Sequence, residues 1–178
     1  MRRRFAAVLL LLAPLAAAPA ETSNGRALEI FGWVERVELL DGELSVKAKL
    51  DTGAVTSSLD AASIERFERD GKRWVRFTVV DPESGESLEL ERPIVRYARI
   101  VQHSGEHQRR PIVILDVCFG PFRREVEFSL VNRSNFIYPV LLGRSALEGA
   151  AIVDPSETFL NYPACEDASS DAPDSAAE

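Results

Sequence analysis

Hydrophobic and polar residues alternate along this chain in short runs, and that alternation predicts strands nearly everywhere. The clearest run is Leu44-Ser45-Val46-Lys47-Ala48-Lys49-Leu50, with apolar residues on one face and polar residues on the other. Leu28 to Leu39 reads as its hairpin partner, because the intervening Asp41-Gly42 is a strong tight-turn signal. Trp74 to Val80, Ser87 to Leu90 and Ile94 to Val101 continue the sheet. Ile112 to Phe119 is almost continuously apolar, which predicts burial on both faces, whereas Arg123 to Leu130 alternates again. Val140 to Leu142 is a short core strand, and Ile152-Val153 and Thr158 to Leu160 add the last pairings. Only two stretches read as helical. Ala61 to Arg69 carries Ile64 and Phe67 at helical spacing, with Asp60 as a cap and Gly71 as a stop, and Ser145 to Glu148 forms one turn ended by Gly149.

The ends behave differently. Met1-Arg2-Arg3-Arg4, the apolar run Phe5 to Ala17 and the small residues Ala18-Pro19-Ala20 have the layout of a secretory signal over residues 1–20. The expectation is an exported protein, periplasmic or secreted. Residues 28–163 are expected to form one domain, and residues 164–178 an acidic tail without the apolar residues needed for a core. Formal net charge is −7, and removing the leader, with its three arginines and no acids, makes the remainder more acidic still. That balance argues against nucleic acid and anionic membranes as partners. The two cysteines, Cys118 within an apolar strand and Cys165 at the start of the tail, either pair in an oxidising compartment or stay separate, with Cys118 buried.

Candidate chemistry gathers where the Leu44–Leu50 strand ends. Asp51-Thr52-Gly53-Ala54 follows directly, so a carboxylate is delivered to the tip of a strand and then to a loop of small residues. Gly53 and Ala54 permit close backbone approach, and Thr52, Thr56, Ser57 and Ser58 supply hydroxyls able to tie the loop to its own backbone. An ordinary Asx turn has the same local composition.

Asp51-Thr52-Gly53-Ala54 resembles the active-site loop of aspartic peptidases in its retropepsin form. Val140-Leu141-Leu142-Gly143-Arg144, downstream, is similar to the segment that opens the C-terminal helix of those enzymes. Together with Gly32-Trp33-Val34-Glu35, Ala48 to Leu59, Trp74 to Phe77, Arg110-Pro111 and Val153 to Ser156, these segments resemble the bacterial retropepsin-like family labelled "ATP-dependent zinc protease". The resemblance covers roughly Phe31 to Pro163. It implies an all-β, single-lobe acid-protease barrel with one or two short helices and a peptide or protein substrate. Asp51 would be the catalytic residue, Thr52, Gly53 and Ala54 its loop, and Gly143 and Arg144 structural support, Arg144 as a buried cation near the loop base. Because such enzymes use two carboxylates sharing a proton and this chain has one Asp-Thr-Gly, the resemblance also implies a homodimer. Retroviral enzymes commonly place an acid after the Ala to pair with the arginine. Here Val55 stands there, which leaves Asp60 as the candidate partner.

Two other readings compete. One is a retropepsin-like module that binds peptide or cell-envelope polymer without cutting it. The other is a zinc hydrolase, suggested by His103-Ser104-Gly105-Glu106-His107, which matches H-x-x-E-H. That motif needs a helix, whereas this stretch contains Gly105 and lies between strand-like runs, and no third ligand presents itself, so no metal is expected. No phosphate-binding Gly-Lys-Ser/Thr loop is present, so neither ATP nor another cofactor is expected. A retropepsin fold also needs a hairpin over its cleft, and the tips near Gly85 and Gly105 both qualify.

Overall fold

The computed structural model describes residues 27–101, 107–132 and 137–165. The expected signal peptide, the Gly105 hairpin tip and the chain beyond Cys165 lie outside the described residues. Eleven strands and one helical turn occupy the rest. β1 (Glu29–Leu39) and β2 (Leu44–Leu50) form the antiparallel hairpin that the Asp41-Gly42 signal predicts. The loop 51–56 leads into β3 (Ser57–Asp60), followed by β4 (Ala62–Arg69), β5 (Lys72–Val80) and β6 (Ser87–Pro93). β7 (Arg96–Val101), β8 (His107–Phe119), β9 (Phe122–Val131) and β10 (Val140–Leu142) come next, then α1 (Arg144–Leu147) and β11 (Ala151–Thr158).

Eight strands make one sheet in the order β11-β1-β2-β10-β3-β9-β8-β7. It curls until β1 also pairs with β8, matching Glu38 with Cys118 and Leu39 with Val117. The fold is therefore all-β and retropepsin-like, with the alternating residues of β1, β2 and β9 turned into a shared core. β8 is buried on both faces from Pro111 to Phe119 apart from Ile114 and Asp116, as its apolar run predicts. β4, β5 and β6 form a separate three-stranded sheet whose Val75, Phe77, Val79 and Leu90 join the same core.

The expected helix over Ala61–Arg69 is corrected by this sheet: Ala62–Arg69 is a strand paired antiparallel to β5. A register shift between Ala62 and Glu65 bends the strand, with Ser63 at φ 51°. Ile64 packs against the core, while Phe67 lies opposite Trp74 and stacks on it, so their three-residue spacing never defined a helical face. Asp70-Gly71 was the decisive signal. Both residues have positive φ, 52° and 71°, as a type I′ hairpin turn requires, and the chain reverses there. Asp60, expected as a helix cap, ends β3, its N–H donating to the Pro139 carbonyl at 2.7 Å.

The C-terminal segment is strapped across the start of β1. β11 runs parallel to β1, and Gly32 has no room for a side chain, because a Cβ there would lie 2.6 Å from the Glu157 carbonyl oxygen. Glu35, fully buried, accepts hydrogen bonds from three backbone N–H groups: Gly32 at 2.6 Å, Leu160 at 3.1 Å and Asn161 at 3.1 Å. Cys118 and Cys165 form a disulfide with a Cα–Cα distance of 5.9 Å. Ala164 N–H donates to the Gly120 carbonyl beside it, so Ala164 and Cys165, assigned to the tail from composition, are attached to the barrel. Closing a 47-residue separation stabilises such a domain by about 4 kcal/mol on the chain-entropy model.

Candidate active site

β2, β10 and β3 lie side by side and position the site. The Asp51 N–H donates to the Leu142 carbonyl at 2.8 Å, which extends the parallel β2–β10 pairing to the last residue before the loop. The backbone of Asp51 is therefore held by the sheet. Its side chain turns back on the loop: the Gly53 N–H donates to Asp51 Oδ1 at 3.0 Å and the Ala54 N–H to the Asp51 carbonyl at 3.3 Å. Among the described residues nothing bonds Oδ2. Asp51 and Ala54 are half-buried, and Thr52, Gly53 and Val55 are exposed. A carboxylate with one oxygen fixed and the other open can orient a water molecule or a carbonyl.

The Gly143-Arg144 segment clasps this loop from behind. Arg144 Nη1 donates to the Thr52 carbonyl at 2.9 Å and the Gly53 carbonyl at 3.0 Å, and the Arg144 N–H donates to the Ala54 carbonyl at 2.9 Å. Gly143 donates its N–H to Ser57 Oγ at 3.0 Å. A Cβ on Gly143 would meet the Val55 carbonyl oxygen at 2.6 Å, so only glycine lets the two segments touch. Ser145 completes the clasp, its N–H and its hydroxyl both donating to the Val55 carbonyl, at 3.1 and 2.9 Å.

The residues singled out in sequence, Asp51, Thr52, Gly53, Ala54, Gly143 and Arg144, are thus brought together in one place. Two expectations about Arg144 are corrected. Its partners are backbone carbonyls of the loop, with Asp60 at the far end of β3, and in the single chain it is exposed, because its guanidinium reaches over the outside of the loop. Ser145 was missed as a loop support. The only signal for it was a short hydroxyl directly after Gly-Arg.

An open cavity of about 480 Å³ lies beside the loop, lined by Leu28, Thr52, Arg144, Leu147 and Ala151. Next to it stand exposed apolar side chains, Leu28, Ile30 and Ile152, with Ile30 paired to Ile152 across β1 and β11. Of the two hairpin tips, the one near Gly85 is tied down: Glu83 pairs with Arg36 at 2.8 Å and also with Lys47, joining the turn to β1 and β2. The other belongs to β7 and β8 of the barrel sheet, and its tip lies outside the described residues. His107 begins a strand, where H-x-x-E-H requires a helix, and His103 lies outside the described residues.

A barrel whose strand-end Asp-Thr-Gly loop is clasped by a Gly-Arg segment defines an aspartic-peptidase-like module. The chain belongs to the RimB-like family: the family model, described as "Retropepsin-like aspartic endopeptidase RimB", matches residues 30–163. It is 36% identical over 120 residues to a protein named probable alpha-L-glutamate ligase from Shewanella pealeana, covering 66% of this chain and 26% of that protein. A relative of the same name from Desulfotalea psychrophila is 32% identical over 128 residues, 70% of this chain and 27% of the relative. The chain therefore spans about a quarter of the length of these curated relatives. A crystal structure of the protein Lpg0085, of unknown function, from Legionella pneumophila aligns with a TM-score of 0.64 at 37% identity. That alignment covers 78% of this chain and 98% of the other.

Proposed function

We propose that this chain is an exported aspartic endopeptidase that hydrolyses peptide bonds with a dyad formed by Asp51 from two copies. The observation that carries the reading is the Asp51 loop: one carboxylate per chain, with Oδ1 held by Gly53 and Oδ2 open. Two such carboxylates facing each other across a two-fold axis share a proton. One activates water while the other protonates the substrate carbonyl oxygen. The exposed Leu28, Ile30 and Ile152 beside the loop favour a second copy as the partner, since burying them removes apolar surface from water. In this reading Thr52 stiffens the paired loops and Arg144 holds each loop in shape.

Residues 1–20 serve as the export signal and 28–163 as the peptidase domain, with Ala164 and Cys165 tied to it ahead of an acidic extension. The Cys118–Cys165 disulfide fits an oxidising compartment. The ligase name belongs to whole relatives roughly four times as long as the matched segment, so that activity is not carried over.

The test combines sedimentation of the purified protein with cleavage of a peptide library. Asp51→Asn is expected to keep fold and dimer while losing about a thousandfold or more in rate, since symmetry removes both carboxylates at once. A statine-type inhibitor should block the wild type and a chelator should not. A protein monomeric even with inhibitor, or an Asn variant with full activity, defeats the dyad. A wild-type dimer that binds peptides but never cleaves them means a binding module.

A further inference from the structure

Six arginines on this acidic chain have a carboxylate partner: Arg36, Arg69, Arg76, Arg92, Arg96 and Arg123 are all in ion pairs. Arg66, Arg73 and Arg109 differ from these six in being gathered around an aromatic ring. They come from β4, β5 and β8, yet their guanidinium carbons converge on one ring, that of Tyr97 on β7, at 5.9, 5.2 and 4.1 Å from its centroid. None of the three has an ion-pair partner among the described residues, and Glu68, opposite Arg73 in the β4–β5 pairing, forms no ion pair with it. The Tyr97 ring face compensates only part of the repulsion among three cations. Arg66 and Arg109, though not Arg73 or Tyr97, also line a cavity of about 430 Å³ together with Gln108 and Arg110, over an apolar floor of Ile64, Pro111 and Leu130. Among the described residues it shares no lining residue with the cavity beside Thr52 and Arg144.

We propose that this cleft between the small sheet and the base of the β7–β8 hairpin is a binding site for a polyanion bearing two or more carboxylate-type oxyanions. A guanidinium stacked against a ring keeps its N–H edges free, and those edges match an oxyanion with two parallel hydrogen bonds. Arg66 commits one N–H to the Arg109 carbonyl at 3.4 Å, and the remaining N–H edges of the three forks can donate to more than one anionic group. A net charge of −7 makes an unneutralised cationic cluster specific, because anions are repelled from most of the remaining surface. The anionic groups come either from a free small polyanion or from acidic side chains of a polypeptide.

Isothermal titration calorimetry on the full chain at low salt decides, with citrate as the small polyanion and a blocked tetra-aspartate peptide as the polypeptide. At least one probe should bind saturably and weaken as salt is raised. The double variant Arg73→Gln, Arg109→Gln should bind about tenfold or more weakly with unchanged Tm, and Arg123→Gln, which alters an arginine elsewhere, should bind as the wild type does. Citrate alone binding assigns the site to small polyanions, and the peptide alone binding assigns it to acidic polypeptides. No saturable binding of either probe, or a double variant that binds as the wild type, overturns the proposal.

Discussion

Glu35 and Asp51 are both carboxylates at the barrel, and they are held in opposite ways. Glu35 is 0% exposed, and both its oxygens accept from backbone N–H groups, those of Gly32, Leu160 and Asn161. Asp51 sits half-buried at the end of β2, with one oxygen held by Gly53 and the other open among the described residues. A buried acid with its hydrogen bonds filled organises structure, since its acceptors are already committed. An acid fixed by its own loop but left with an open oxygen can meet a substrate. The contrast separates two carboxylates that look equivalent as letters in a sequence.

Stability should divide them most sharply. Replacing Glu35 by Ala strands three buried or partly buried N–H donors and frees the segment around Leu160 and Asn161 from β1. The expected cost is about 3–5 kcal/mol in urea unfolding, with Glu35→Gln intermediate because one acceptor oxygen remains. Asp51→Asn should cost under about 1 kcal/mol, because a single exposed-side hydrogen bond from Gly53 is all that changes. Equal costs for the two would erase the distinction.

The two carboxylates were also unequally legible. Asp51 lies in a contiguous motif at the end of a clean alternating strand, and its support at Gly143-Arg144 is a second motif, so both ends of the interaction carry a local signature. Glu35 finds Leu160 and Asn161 across a sequence separation of 125 residues or more, and no local pattern marks those N–H groups as donors. The β1–β2 hairpin and the β8 and β9 strands could be read from alternation and turn chemistry. β4 was legible only from the Asp70-Gly71 turn, because its own pattern, interrupted by a bulge at Ser63 and with Ile64 and Phe67 three residues apart, imitated a helical face. Arg144 lies against the loop, but its partners are the Thr52 and Gly53 carbonyls and not the expected carboxylate. Backbone carbonyls have no sequence signature, so a cation satisfied by them looks unpaired.

Arg144 probes how far the Asp51 loop depends on that clasp. Arg144→Met removes two hydrogen bonds from the guanidinium to the Thr52 and Gly53 carbonyls while leaving the Arg144 N–H bond to Ala54 intact. The loop should loosen without unfolding, with a loss of about 1–2 kcal/mol in stability. If the proposed chemistry holds, kcat should fall about 10- to 100-fold as the carboxylates lose alignment. Arg144→Lys should recover part of the stability, since one ammonium can reach only part of the two-carbonyl geometry. A Met variant with unchanged kcat would show that Asp51 is positioned by β2 and β10 alone.

The smallest expected effect comes from a third carboxylate, Asp81, which lies between the other two in character. It is 2% exposed at the turn after β5, and burial by itself would raise its pKa. The Ser84 side chain, the N–H groups of Ser84 and Glu83 and the positive charge of Arg36 outweigh burial and hold the Asp81 carboxyl below the usual carboxylate value. A carboxyl whose pKa is lower folded than unfolded stabilises the fold fully at pH values above the unfolded pKa. That contribution disappears as pH falls through the folded pKa. Asp81→Asn should therefore destabilise the protein near neutral pH and flatten the acid side of its stability profile, measured as urea midpoint between pH 7 and pH 3. The change should be local, loosening the turn that Glu83 pins to Arg36 and Lys47, with the Asp51 loop undisturbed. An Asn variant whose midpoint falls with acid as steeply as the wild type would move the acid sensitivity to other carboxylates, with Glu91, held low chiefly by hydrogen bonds from Arg76 and Arg69, the first to replace.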